Sequence, residues 1–307
     1  MKLLTASLIL IYLISPDAFI LFSFSYLLLL LAICYFKKLK LFVIDWLFFY
    51  MCLITFNALR GTAFQAIQHF DLPVYSLYII KFESWFTPGT TLAQLLQQAT
   101  LSHGFFTSVL TKLCAAVYAS HFLYFLLVGF YLWLAQPKLF TRFKYSILAC
   151  SYCALVFFIL LPTTPPWLAA KQGLIAPVNN TFLALMNSQF EYLVMKLNTH
   201  PVAAMPSLHI AYPFICFLYL RPTKARMVSL GYLLLVCLAV VLLGAHYIGD
   251  ILAGMLLSSI CYFLFRNSKA KCRSQRQNGN KTLAIELIKT LCLGLLTHVL
   301  ITNTLSI

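Results

Sequence analysis

Charged residues are scarce in this sequence, and acidic residues are the scarcest of them. Only 9% of the 307 residues are charged and only 7 are Asp or Glu, whereas 62% are hydrophobic. The mean hydropathy is +0.89. Soluble proteins carry far more charge, so this composition excludes an ordinary soluble protein and predicts a membrane protein with several spans.

Other common signatures are missing as well. The sequence has no internal repeat, which weighs against a transporter built from symmetric halves, and it has no glycine-rich phosphate loop. Its 10 cysteines are scattered, mostly within apolar runs. Cys150 and Cys153 form a lone C-x-x-C inside a predicted span, so we interpret them as packing residues rather than a redox or metal site.

Basic residues number 22 and give a formal net charge of +15. A nucleic-acid-binding protein would also be basic, but here Lys and Arg are concentrated in short loops beside apolar segments. That distribution follows the positive-inside rule, so we expect a membrane and no nucleic-acid partner. Sixteen of these residues fall in one set of loops and five in the other, with Lys289 inside the last span, so we place the first set in the cytoplasm.

Apolar runs near the length of about 20 residues that crosses a bilayer recur along the whole chain. We expect nine spans, near 3–15, 18–36, 41–59, 117–136, 145–162, 206–221, 227–243, 247–265 and 283–302. A cleavable signal peptide over 1–17 is the competing interpretation of the first run, disfavoured because no small-residue cleavage site follows it. We predict an all-α fold, a polytopic transmembrane helical bundle with a six-helix catalytic core.

The expected organisation is a single membrane domain over 1–307. Its parts are N-terminal accessory spans at 1–59, an outer interfacial segment at 60–116, a catalytic core at 117–265, a basic cytoplasmic linker at 266–281 and a C-terminal span at 283–302. Leucines on one helical face predict a short interfacial helix over 90–99. The basic linker suits a solvated inner loop, with a lipid-binding polybasic arm as the alternative.

Asp250 stands out among the acidic residues because it begins a predicted span four residues after His246. Residues i and i+4 share one face of a helix. The carboxylate can therefore accept the Nδ1–H of the imidazole, fix its tautomer and raise the basicity of Nε2. A purely structural His–Asp pair is the alternative explanation.

A second histidine follows a predicted helix start in "AAMPSLH". Pro206 suits the first turn of a helix, and Ser207 and His209 come directly after it, where free backbone N–H groups favour an anion. The predicted topology brings His209 and His246 to the same outer membrane surface. Two histidines, one with a carboxylate, suit phosphoryl transfer, in which one attacks phosphorus and the other protonates the leaving oxygen. A His/His/Asp metal site is the competing interpretation, although no further ligand cluster is evident.

The segment "LPTTPPW" (161–167) ends a predicted span at the same surface. Its three prolines cannot continue a helix, so the chain must turn in the headgroup region. Trp167 suits that depth. On its own this segment is explained equally well as an ordinary interfacial loop.

Together the three segments resemble a known family. "PTTPPW" at 162–167, "AAMPSLH" at 203–209 and "HYIGDILAG" at 246–254 have the order and spacing of the three motifs of the type-2 phosphatidic acid phosphatase superfamily. The branch they resemble most is that of the inositol phosphotransferases, which include the aureobasidin-sensitive inositol phosphorylceramide synthases of fungi. The resemblance extends over residues 120–265.

The resemblance implies a role for each motif residue. His246 is the implied nucleophile, Asp250 orients it, and His209 is the acid for the leaving group. Ser207 and nearby backbone N–H groups hold the phosphoryl oxygens, and Trp167 lies at the substrate. The resemblance also implies a lipid substrate, a lipid or water acceptor, and no metal or organic cofactor.

The chain departs from the superfamily at its basic residues. The superfamily has Lys and Arg in its first motif and an Arg shortly before the third-motif histidine, and neither motif is basic here. The outer-face candidates for neutralising phosphate are Arg60, Lys171, Lys196 and His200. Arg60 ends a span, where a snorkelling anchor is the alternative role.

We therefore expect an integral membrane phosphatase or phosphotransferase that acts on lipid headgroups at the periplasmic or exterior leaflet through a phosphohistidine. A transporter or lipid-binding scaffold with a degenerate site is the alternative. The presence of His209, His246 and Asp250 together argues against that alternative.

Overall fold

The computed structural model describes residues 39–101, 104–185 and 198–267. Within these ranges the chain forms ten helices and no strand, which confirms the all-α prediction for this part. In chain order they are α1 Leu39–His69, α2 Leu77–Glu83, α3 Leu92–Leu101, α4 Gly104–Ala135, α5 Pro137–Leu160, α6 Pro166–Lys171, α7 Thr181–Ala184, α8 Leu208–Leu220, α9 Arg226–Leu242 and α10 Ile248–Arg266.

Four of the described helices are long and apolar enough to cross a membrane. These segments are Leu41–His69, Thr107–Ala135, Pro137–Leu160 and Ile248–Arg266. They carry outward-facing apolar side chains such as Leu160, Leu256 and Leu264, which are 65%, 64% and 68% exposed. Acyl chains solvate such side chains well and water does not, so these helices support the assignment as a membrane protein.

The count of nine spans is not confirmed. The predicted spans at 3–15, 18–36 and 283–302 lie outside the described residues. Helices α8 and α9 occupy two further predicted spans but contain 13 and 17 residues, short of the roughly 20 that a crossing requires.

Two helices are longer than hydropathy predicts. Helix α1 continues from the expected end at residue 59 to His69, and α4 begins at Gly104 rather than 117. Both extensions contain polar residues, which lower hydropathy without preventing helical hydrogen bonding. The ends of the expected outer segment, 60–69 and 104–116, are therefore parts of long helices, and α3 lies between them close to the predicted 90–99.

Helix α5 forms the centre of the bundle, where it packs against α1, α4, α8 and α10. Large aromatic side chains fill the space between these helices. Trp46, Phe125 and Phe143 are fully buried there, and the ring of Trp46 lies 4.9 Å from that of Phe140. The packed layer fixes α8 and α10 relative to each other, and these two helices carry His209 and Asp250.

The proline-rich turn is joined to two other segments at one end of the bundle. Thr163 donates its backbone N–H to Val202 at 2.7 Å and accepts from Ala204 at 3.1 Å, which forms an isolated parallel bridge. The hydroxyls of Ser76 and Thr164 lie 2.6 Å apart. The turn predicted from its prolines is therefore held rigidly beside the residues that precede α8.

Candidate active site

His246 lies in the tight turn between α9 and α10. Gly244 takes a left-handed conformation there, with φ of +72°, and a Cβ at this position would lie 2.7 Å from the carbonyl oxygen of Asn179. Only glycine fits both requirements. The turn leaves His246 5% exposed, two residues before the first residue of α10.

Asp250 supports His246 from the first turn of α10. Its Oδ2 accepts the backbone N–H of Tyr247 at 2.9 Å and lies 3.3 Å from Nδ1 of His246. The carboxylate is fully buried, and Oδ1 has no hydrogen-bond partner among the described residues. A carboxylate accepts hydrogen bonds, so the proton of neutral His246 resides on Nδ1 and its Nε2 keeps a lone pair.

His209 faces that lone pair from the second residue of α8. Its Nδ1 lies 3.1 Å from Nε2 of His246, within hydrogen-bond distance. The two residues are 37 apart in sequence, so the packing of α8 against α10 creates this pair. His209, His246 and Asp250 thus form one continuous chain of side-chain contacts.

Ser207 connects the first turns of α8 and α10. Its backbone N–H donates to the carbonyl oxygen of Asp250 at 3.1 Å. Gly254 makes this approach possible, since a Cβ there would lie 2.5 Å from the carbonyl oxygen of Ser207. The Ser207 hydroxyl is fully buried and has no partner among the described residues, although most buried hydroxyls are hydrogen-bonded.

The other two predicted binding residues contact the segments that lead into α8 and α10. Trp167 is the second residue of α6, partly exposed, and its backbone N–H donates to Gly244 at 3.1 Å. Arg60, on α1, donates through Nε and Nη2 to the Thr199 hydroxyl at 3.3 and 3.2 Å. These bonds join α1 to the segment that precedes α8.

The remaining cation candidates are less well placed. Lys171 is exposed at the end of α6, and Lys196 lies outside the described residues. His200 is 2% exposed between the rings of Phe64 and Phe158, and neither of its ring nitrogens has a partner among the described residues. Burial, aided by the nearby charge of Arg60, lowers the pKa of His200 to about 4, so it is neutral at pH 7.

Two residues of α4 that the sequence analysis did not identify enclose His209. Tyr118 stacks on its ring at 4.3 Å and 14°, and His121 lies 4.0 Å away at 46°. His121 donates from Nδ1 to the carbonyl oxygen of Tyr118 at 2.7 Å, since a carbonyl only accepts. A histidine inside an apolar span was the available signal, because such residues are expensive in a membrane.

Glu83 is a third residue that sequence reasoning missed. Its carboxylate is 1% exposed and accepts two backbone N–H groups, from Leu92 at 3.0 Å and from Ile248 at 2.8 Å. It therefore ties the first turns of α3 and α10 together. Burial raises the pKa of Glu83, against the two hydrogen bonds, which lower it. No local pattern relates residues 83 and 248, which are 165 positions apart.

The arrangement provides the parts that phosphoryl transfer needs. A nitrogen lone pair, backed by a buried carboxylate, faces a second imidazole. In the part of the chain that the structure describes, no cluster of three or more His, Cys, Asp or Glu side chains is arranged to hold a metal ion.

Comparison with known families agrees with this geometry. Residues 78–264, more than half of the chain, match the family model described as the PAP2 superfamily, and the match includes all three motif segments. Comparisons with curated proteins and with solved structures give no significant match. The match over 78–264 shows that the chain belongs to the PAP2 superfamily.

Proposed function

We propose that this protein is a membrane-bound lipid phosphatase or phosphotransferase that works through a phosphohistidine on His246. Membership of the PAP2 superfamily supports a phosphatase-type enzyme at the general level. The observation that carries the mechanism is the alignment of Asp250, His246 and His209 through contacts of 3.3 and 3.1 Å.

In the first step Nε2 of His246 attacks phosphorus, and the bond from phosphorus to the leaving oxygen breaks. His209, in its protonated imidazolium form, gives its proton to that oxygen and becomes neutral. Asp250 stabilises the positive charge that develops on the His246 ring. In the second step an acceptor hydroxyl or water loses a proton to His209 and attacks phosphorus, and the nitrogen–phosphorus bond breaks.

Substrate binding requires the two imidazoles to separate. In a direct displacement the nucleophile and the acid lie on opposite sides of phosphorus, with the reacting atoms about 3–3.5 Å apart. The acid must also lie about 2.6–3.2 Å from the leaving oxygen. A gap of 3.1 Å between the nitrogens cannot contain a phosphoryl group. His209 therefore has to move, and its stacked contact with Tyr118 allows the ring to slide without losing its packing.

Phosphate charge is neutralised by groups that differ from those of the superfamily motifs. We assign this role to Arg60, whose guanidinium can bind phosphate through two parallel N–H groups. The buried Ser207 hydroxyl and the free N–H groups at the start of α8 supply further hydrogen bonds to the phosphoryl oxygens. Trp167 contacts the lipid part of the substrate at the depth of the headgroups.

The inositol-phosphotransferase-like branch is our assignment within the superfamily. It is supported by the absence of basic residues from "LPTTPPW" and of arginine from "VCLAVVLLGAH". The donor is then a phospholipid, and the acceptor is a lipid hydroxyl or water. One set of loops has sixteen basic residues and the other has five, which favours a cytoplasmic position for the first set. The active site, at the opposite surface, then faces the periplasmic or exterior leaflet.

Trapping the covalent intermediate tests this function. Purified protein is incubated with phosphatidic acid labelled with ³²P at its phosphate and quenched in alkali, which preserves phosphohistidine. We expect labelled wild-type protein and no label on His246→Ala. His209→Ala should be labelled more slowly, because its nucleophile is intact. His69→Ala, which changes an exposed histidine at the end of α1, is the matched control.

Two results would argue against the proposal. Equal labelling of wild type and His246→Ala would rule out His246 as the nucleophile. Unlabelled wild-type protein that binds lipid and turns over neither phosphatidic acid nor phosphatidylinositol would favour a scaffold with a degenerate site. Products formed in the presence of a lipid alcohol then separate transfer to that alcohol from hydrolysis.

A further inference from the structure

A cleft of about 280 Å³ lies at the end of the bundle opposite the histidines. Helix α10 has Asp250 in its first turn and Arg266 as its last residue, and its 19 residues rise about 28 Å. The cleft lies where this far end of α10 meets the start of α5 and the end of α8. It is therefore at the other membrane surface and independent of the active site.

The polar lining of the cleft is cationic. Arg142, Arg266 and Asn267 are among its eight lining residues, and none of the eight carries a carboxylate. Arg266 is held over the ring of Phe263, with Cζ 4.5 Å from the ring centre. Arginine forks recognise phosphate oxygens through paired hydrogen bonds.

The rest of the lining is aromatic and apolar. Tyr219 and Tyr262, whose rings meet edge to face at 5.0 Å, line the cleft together with Leu139 and Leu218. Beside the cleft the outer face of α10 is apolar, with Leu264 68% exposed. A cationic recess next to a lipid-facing helix matches a molecule with an anionic head and a hydrocarbon tail.

The positive-inside rule alone does not account for this recess. Other basic residues at the same end, Lys138, Arg221, Lys224 and Arg226, are exposed and do not line it. The positive-inside rule requires basic residues at this surface but does not require them to line a cleft. Two arginines and two tyrosines around one cleft form a more specific arrangement than the rule requires.

We propose that this cleft binds the headgroup of one anionic phospholipid from the leaflet opposite the active site. Its volume is slightly below the range of about 300–1,000 Å³ of small-molecule pockets, so it can hold a phosphodiester with its glycerol but not the acyl chains. The chains lie along the apolar face of α10. Basic pockets between transmembrane helices bind lipid headgroups in this way.

Native mass spectrometry of the full chain in detergent tests the proposal with added phosphatidylglycerol. We expect wild type to retain one phosphatidylglycerol and the Arg142→Gln/Arg266→Gln double variant to bind it at least tenfold more weakly. Lys138→Gln/Arg221→Gln is the matched control, since it removes the same charge from the same surface outside the cleft. If the double variant does not fold, Arg266→Gln alone changes an exposed side chain and still removes one guanidinium.

Each outcome decides the question. Loss of phosphatidylglycerol binding in the cleft variant alone, with phosphatidylcholine bound weakly by all proteins, supports a headgroup site. Equal loss of phosphatidylglycerol binding in the control variant would overturn the proposal, because binding would then depend on overall surface charge. Unchanged binding in the cleft variant would also overturn it, because the lipid would then bind elsewhere. Displacement of phosphatidylglycerol by an equal concentration of inorganic phosphate would also overturn it and indicate a simple anion site.

Discussion

His200 makes the stability of this protein depend on pH in a predictable direction. Its ring is buried between Phe64 and Phe158, its nitrogens are unpaired among the described residues, and its pKa is lowered from 6.5 to about 4. In the unfolded chain the same side chain ionises near pH 6.5. Between these values the unfolded state binds a proton that the folded state does not, so stability falls as pH falls.

The magnitude follows from the pKa difference. Each pKa unit corresponds to about 1.4 kcal/mol, so lowering the pH from 7 to 4 should remove about 3 kcal/mol of His200-linked stability. His200→Phe removes the titrating group and keeps a ring between the two phenylalanines. At pH 7 it also relieves two unpaired buried nitrogens, each of which costs about 1–3 kcal/mol. The variant should therefore be at least as stable as wild type at pH 7.

Equilibrium unfolding in mixed micelles at pH 7, 6, 5 and 4, followed by tryptophan fluorescence, measures the effect. The free energy of unfolding of His200→Phe should exceed that of wild type by about 3 kcal/mol more at pH 4 than at pH 7. His69→Phe changes an exposed position, so its free energy of unfolding should follow that of wild type at every pH. All other titrating groups are common to the compared proteins and cancel. Parallel curves for wild type and His200→Phe would refute the assignment of a buried neutral histidine.

Three further predictions concern catalysis and topology. Glu83→Ala leaves the N–H groups at two helix starts unpaired. Because small displacements of catalytic groups are costly, kcat should fall about 10–100-fold with little change in KM. Kinetics indistinguishable from those of Lys81→Ala, a control at an exposed position, would contradict this role. Activity should survive EDTA, and a loss that one divalent ion restores would favour the metal interpretation. In a protein from which Cys272 and the other native cysteines have been removed, a cysteine introduced in the 171–180 loop should react with an impermeant thiol reagent in intact cells. A cysteine introduced at 274–280 should react only after permeabilisation. The reverse pattern would place the active site on the cytoplasmic side.

Local spacing was sufficient to predict part of the candidate site. The spacing of His246 and Asp250 predicted their contact, and the structure brings them together. The predicted reason, a shared helical face, is wrong, because His246 precedes α10 and Asp250 reaches back to it and to the Tyr247 N–H from the first turn. Helix α8 begins at Leu208, two residues after the predicted start at Pro206. Hydropathy located the six described helices that coincide with predicted spans, one in the N-terminal accessory part and five in the predicted core, because apolar runs are long and uninterrupted. It did not locate the helix ends, which depend on backbone hydrogen bonds that polar residues also make.

The residues that sequence reasoning missed act across long separations. Glu83 reaches Ile248 across 165 positions, and Tyr118 and His121 reach His209 through the packing of α4 against α8. No periodicity or spacing encodes such contacts. His121 was still detectable in principle, since an ionisable residue within an apolar span requires an explanation.

Arg60 has a consequence for how fragments of this protein should be chosen. It lies on α1, whereas the stretch that matches the PAP2 superfamily begins only at residue 78. A fragment trimmed to that stretch keeps both histidines and Asp250 but loses the guanidinium to which we assign phosphate binding, together with the aromatic layer that α1 packs onto α5. The boundary of sequence similarity therefore cuts through the proposed reaction centre, and a shortened protein without activity would not count against the chemistry assigned to His246.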